Sequence, residues 1–168
     1  MHGVRYDRFY DYAELTGTLE AWAAEAPELF RLESAGRSYE GREIWLATVT
    51  NTKTGPDTDK PAFLLEANIH AIELTGCTAA LQLLHRLLSG YGSDPKVTRA
   101  LDTRAFYVIP RLNPDGAELA LSERPRYVPS PTAPSAPWWG SMARRSRGCR
   151  SRTSWDAPRT SRSTRIRS

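Results

Sequence analysis

His70 and Glu73, in Asn68-Ile69-His70-Ala71-Ile72-Glu73, are the side chains of this sequence best suited to chemistry. An imidazole nitrogen and a carboxylate oxygen are both good zinc donors, and a catalytic zinc takes three protein ligands and keeps a fourth position for water. The run from Phe63 to Glu73 begins as an apolar stretch and reads as a buried strand that delivers both side chains. A turn from strand to helix after His70 places Glu73 in the first helical turn. Both groups then converge above the carboxyl end of a sheet, where open α/β folds bind their ligands. The same spacing also suits a histidine hydrogen-bonded at a strand end, followed by a Glu that a helix N-terminus attracts. Taken alone, the spacing favours this plainer reading. His85, between Leu84 and Arg86, reads as a surface or boundary histidine.

The elements that must position this pair are legible on either side of it. Tyr12, Leu15, Leu19 and Trp22 recur at three- and four-residue steps before Pro27, which predicts an amphipathic surface helix. Leu29 to Ser38 and Glu43 to Asn51 read as two strands of a hairpin turned by Tyr39-Glu40-Gly41-Arg42. A polar loop from Thr52 to Lys60 leads to Pro61 and the apolar strand. A helix is expected from Glu73 to about Leu88, with Leu81, Leu84, Leu87 and Leu88 inward, then a short helix from Pro95 to Leu101 and a strand from Arg104 to Arg111. Asn113-Pro114-Asp115-Gly116 reads as a tight turn in which Gly116 accepts a positive φ. The order β-β-β-α-α-β predicts an α/β fold: a mixed parallel and antiparallel sheet flanked by helices, with the hairpin at one side.

Composition bounds the partners. The chain has 168 residues, enough for one domain with a sizeable core. Met1 to Asp7 carries charge and no apolar h-region, and the apolar stretch from Cys77 to Leu88 is interrupted and too short to span a bilayer. A cytoplasmic protein with no membrane contact is therefore expected. Cys77 and Cys149 make no disulfide framework, and Cys77 reads as a core thiol. The net charge of +4 is unevenly spread. Residues 1–123 hold 12 Lys and Arg against 18 Asp and Glu, whereas residues 124–168 hold 11 Arg and one acid, Asp156. The body is acidic and the tail alone makes the chain basic, so its pI of about 9.3 says little about the folded part.

The tail from Arg124 is rich in Arg, Ser, Thr and Pro, with Trp138, Trp139 and Trp155 and no periodic apolar face. One reading is a disordered basic arm on a non-catalytic module, binding nucleic acid or another polyanion through Arg and stacking Trp. Out-of-register reading of GC-rich coding DNA produces the same bias towards Arg, Ser, Pro, Ala, Thr and Gly, and composition favours that origin. Nothing in the tail matches a nucleic-acid recognition motif, so nucleic acid is not the expected partner.

The body resembles the N-terminal part of the zinc metallocarboxypeptidases of the carboxypeptidase A type. The resemblance rests on Gly36-Arg37-Ser38-Tyr39-Glu40-Gly41-Arg42-Glu43-Ile44, on Lys60-Pro61 and its strand, on His70-Ala71-Ile72-Glu73, and on Pro110-Arg111-Leu112-Asn113-Pro114-Asp115-Gly116. Their joint order across residues 6–123 overturns the plainer reading of the His–Glu pair. The resemblance implies a carboxypeptidase-like fold incomplete at its C-terminus and one zinc ion held by His70 and Glu73. It implies a zinc-activated water that attacks a peptide carbonyl with a carboxylate as general base, acting on peptide or protein substrates. An arginine soon after the N-P-D-G segment polarises the carbonyl in that family, and Arg126, then Arg124, stand nearest to that place. The family also needs a downstream third ligand His, an Asn-Arg pair, a Tyr and a general-base Glu. This sequence has no His after His85, no Glu after Glu123 and no Asn after Asn113. The expectation is a metallocarboxypeptidase by resemblance whose chain, as it stands, is weakly active or inactive. It carries no assignable catalytic base and an incomplete ligand set. Loss of later strands is expected to leave an open, apolar sheet edge.

Overall fold

Asp11 opens the first helix, α1 (Tyr12–Glu25), with a capping box: its carboxylate accepts the amide of Glu14 at 2.8 Å and the Glu14 carboxylate accepts the amide of Asp11 at 3.2 Å. The computed structural model describes residues 3–5 and 7–125. Leu15, Leu19 and Trp22 lie on the buried face of α1, at the spacing read from the sequence. The Trp22 ring meets Phe30 edge-on, with centroids 6.3 Å apart, and so joins the helix to the first strand.

The strands are β1 (Phe30–Arg37), β2 (Glu43–Val49), β3 (Ala62–Glu66) and β4 (Ala105–Ile109), in the sheet order β1-β2-β4-β3. β1 and β2 form the antiparallel hairpin, with a bulge at Ala35 and Gly41 at φ 84° in the turn. β4 runs antiparallel to β2 and parallel to β3. A parallel pair needs a crossover, supplied by α2 (Leu74–Gly90) and α3 (Pro95–Thr103). Leu81 and Leu84 of α2, Val49 of β2 and Val108 of β4 are fully buried in the common core with Leu19 and Trp22. The mixed sheet with helices is the expected architecture.

Two anchors set where β3 begins and ends. Lys60 Nζ donates to Thr50 Oγ1 at 2.9 Å, Asn51 O at 2.7 Å and Thr54 Oγ1 at 2.8 Å, which fastens the loop before β3 to the end of β2. At the other end, Ala67 N donates to Ile109 O at 2.9 Å and Leu112 N to Ala67 O at 2.9 Å, so the parallel pairing continues past both strands.

Three expectations are corrected. The strand leading to His70 is not buried: β3 is an edge strand, and Phe63 and Leu64 are 49% and 46% exposed because no strand pairs on its outer side among the described residues. Glu73 occupies the N-cap position of α2, one residue before its first turn. Asn113-Pro114-Asp115-Gly116 is not a turn with a positive-φ glycine but the start of a further helix, α4 (Pro114–Leu121). Asn113 caps it by accepting the amide of Gly116 at 2.9 Å, and Pro114 takes the first helical position, where its missing N–H costs nothing.

Candidate metal centre

The chain leaves β3 through Asn68, whose φ of 52° is left-handed, and the backbone then bends through His70 to the N-cap of α2. Asparagine tolerates this conformation better than other residues with a side chain because its short amide bonds locally. Glu73 N donates to His70 O at 3.1 Å, closing a turn between the two candidate ligands. His70 and Glu73 are both exposed at the carboxyl end of the parallel β3–β4 pair. The Glu73 carboxylate makes no capping bond to α2, although the helix dipole favours a negative charge there.

The loop is fastened from the other strand. Asn113 N donates to Asn68 O at 3.2 Å and Asn113 Nδ2 to Ile69 O at 3.3 Å, while its Oδ1 caps α4. One side chain thus joins the start of α4 to the residue before His70. Asp115, next along α4, accepts from Ser38 Oγ at 2.8 Å, Glu40 N at 3.0 Å and Arg42 Nη1 at 2.6 Å. Burial pushes the Asp115 carboxyl up, but these donors outweigh it and hold it below its ordinary value. The three hydrogen bonds tie the tip of the β1–β2 hairpin to α4, so the hairpin, α4 and the His–Glu loop form one connected support.

Other candidate groups are accounted for elsewhere. Arg111 follows β4 and is 3% exposed; its Nη2 donates to Tyr10 O at 2.6 Å and its Nη1 pairs with Glu118 at 3.2 Å. It joins the N-terminal segment to α4. Burial pushes the Cys77 thiol up, against the pull of the nearby Arg111 guanidinium, so Cys77 stays a protonated core thiol rather than a thiolate ligand. The His85 ring leans on Trp22 with centroids 6.1 Å apart, roughly 17 Å along α2 from its N-terminus. Arg124 is exposed just past the C-terminal end of α4, and Arg126 lies outside the described residues, as does the rest of the Arg-rich tail.

The donor chemistry of one imidazole and one carboxylate fits a zinc ion, while the number of donors falls short of a closed site. Among the described residues no three His, Cys, Asp or Glu side chains group to hold a metal. Shallow surface depressions around Leu29 and Thr48 and around Tyr10 and Glu14 do not touch His70 or Glu73. No helix among the described residues is long and apolar enough to cross a membrane. Sequence reasoning located the His–Glu pair but missed Asn68, Arg111 and α4. The signals for α4 were present as an Asn cap, a Pro behind it and an acid in the first turn.

Comparison with known proteins gives a consistent result. The family model for zinc carboxypeptidase matches residues 15–153. A zinc carboxypeptidase of Saccharothrix mutabilis subsp. capreolus is 29% identical over 117 residues, which cover 70% of this chain and 27% of that protein. An inactive metallocarboxypeptidase of Saccharomyces cerevisiae is 33% identical over 115 residues, covering 66% of this chain and 27% of that one. The crystal structure of carboxypeptidase A from Helicoverpa armigera superposes with a TM-score of 0.62 at 24% identity, covering 70% of this chain and 28% of that one. The chain therefore spans about a quarter of the length of these relatives.

Proposed function

The chain belongs to the zinc carboxypeptidase family, and from that premise we propose that His70 and Glu73 are two ligands of a zinc ion serving hydrolysis of C-terminal peptide bonds. The observation that carries this reading is the placement of both donors at the carboxyl end of the parallel β3–β4 pair, on a loop fastened by Asn113 from the neighbouring strand. A bound zinc supplies Lewis acidity, polarising a carbonyl and lowering the pKa of water. The residues of this chain contribute the donors and the rigid support beneath them. Asn113 and Asp115 set the loop against α4 and the hairpin, and the exposed face of His70 and Glu73 leaves room for a peptide end.

The same reading holds this polypeptide, by itself, to weak activity or none. Its sequence offers neither a histidine beyond His85 nor a glutamate beyond Glu123 to complete the ligands or act as general base. With two protein donors, more of the coordination falls to water. Zinc is then held at micromolar order or weaker, far from the affinity of a full ligand set. Titration of the full chain with zinc against a chromophoric chelator checks this. The expected result is one weak site, lost in His70→Ala and Glu73→Gln, with no release of C-terminal residues from peptides. A stoichiometric nanomolar site, or a site unaffected by both substitutions, overturns it.

A further inference from the structure

The carbonyl groups of residues 68 to 71 have left the sheet, and two asparagines supply most of their partners. Asn113 serves Asn68 O and Ile69 O from outside the loop. From inside, Asn68 Nδ2 donates to His70 O at 2.8 Å and towards Ala71 O at 3.4 Å. Its two amide protons are thus spread over the two carbonyls next to the first donor residue. Asn68 is 4% exposed and is the one non-glycine residue with positive φ among the described residues. Its Oδ1 is buried with no hydrogen-bond partner in the described structure. The amide cannot be turned over to relieve this, since Oδ1 would then face two carbonyl oxygens.

A side chain with a buried, unsatisfied acceptor and a left-handed backbone is poorly matched to a purely stabilising role. Its two features act together on one object: the backbone conformation ends the strand at the right residue, and the amide holds the bend that follows. We propose that Asn68 is a positioning residue for the metal pair, fixing the direction in which His70 and Glu73 leave the loop. The proposal rests on the reading of those two residues as zinc ligands, and it concerns how they are held rather than what they bind.

The two features separate by substitution. Asn68→Gly keeps the left-handed backbone without steric cost but removes both donors. Asn68→Asp keeps size and shape and turns the donor into an acceptor facing two carbonyls. In the full chain, zinc affinity is measured by chelator competition, melting temperature without metal, and amide hydrogen exchange for residues 69–74. For Asn68→Gly the expectation is a melting temperature close to the parent's, zinc affinity lower by about tenfold or more, and faster exchange confined to the loop. Asn68→Asp should lose at least as much affinity. Unchanged affinity and loop exchange in both variants overturn the proposal. So does a fall in affinity that only tracks a fall in melting temperature, which marks a structural role. If the unaltered chain binds no zinc, the metal reading fails by itself, and the exchange measurement still decides whether Asn68 fixes the loop.

Discussion

At Gly116 a Cβ would stand 2.8 Å from the Cβ of Ala71 and 2.6 Å from Nδ2 of Asn113, one neighbour in the His–Glu loop and the other its fastener. Ala71 is 2% exposed and Asn113 Oδ1 is committed to the Gly116 amide, so neither can easily give way. Gly116→Ala relieves the helix of a glycine, worth up to about 1 kcal/mol, but forces a contact whose cost is about 1–3 kcal/mol. The steric term wins. The expected outcome is a net loss of roughly 1–2 kcal/mol in urea unfolding; a stabilised variant would show that the loop yields freely. The N-P-D-G residues by themselves predict a positive-φ turn at this glycine. Its actual requirement is space, which a single sequence cannot show because Ala71 lies 45 positions away in the chain.

The elements around the site are held by charge as well as by packing. Asp115 joins the hairpin tip to α4, and Arg42, which also pairs with Glu40, is its cationic partner. The Asp115 carboxyl titrates below its ordinary value in the folded state. Its stabilising contribution is therefore fully present above the unfolded carboxyl value near 3.8 and is lost as pH falls through the lower folded value. Asp115→Asn should be less stable than the parent at neutral pH and lose less on acidification, with the two stabilities converging below about pH 4. Thermal unfolding across pH 2–7, a range set by the ordinary carboxylate values, checks this. Parallel curves would remove Asp115 from the latch. The hairpin itself was readable from alternation and a glycine turn. The latch was not, since it joins Ser38 and Asp115, which are 77 residues apart.

At the scale of the molecule, four of the seven exposed large apolar side chains among the described residues lie on β3 or in the loop that follows it. Phe63 and Leu64 on β3 are about half exposed, and Ile69 and Ile72 beside His70 and Glu73 are 51% and 58% exposed. β3 is one of the two edge strands of the sheet among the described residues, so its backbone groups and apolar side chains invite pairing with another chain. Leu64→Lys should reduce self-association at this edge while changing unfolding free energy by no more than about 0.5 kcal/mol, as for surface positions generally. Light scattering against concentration checks it; equal scattering of parent and variant places association elsewhere. The sequence predicts an open, apolar edge and also a buried strand at Phe63 to Glu66, the strand that forms it. The two expectations conflicted, because an apolar run looks the same in a covered strand and in an exposed one.

Sequence alone determined the local pieces: α1 from its periodicity, the hairpin from its alternation and turn, and His70 and Glu73 as candidate donors by residue type, which their spacing alone does not separate from a plainer role. These are short-range properties, set by side-chain period and donor chemistry over a few residues. Tertiary structure decided everything that depends on distant parts of the chain meeting. It placed β3 at an edge, turned the N-P-D-G segment into a capped helix, and set Asn113 and Asp115 between the loop and the hairpin. It also showed Asn68 in a left-handed conformation ahead of His70, its amide donating to the His70 carbonyl. The donors were visible because chemistry is written in residue type. Their support was not, because hydrogen bonds across 44 to 77 residues exist only once the chain has folded.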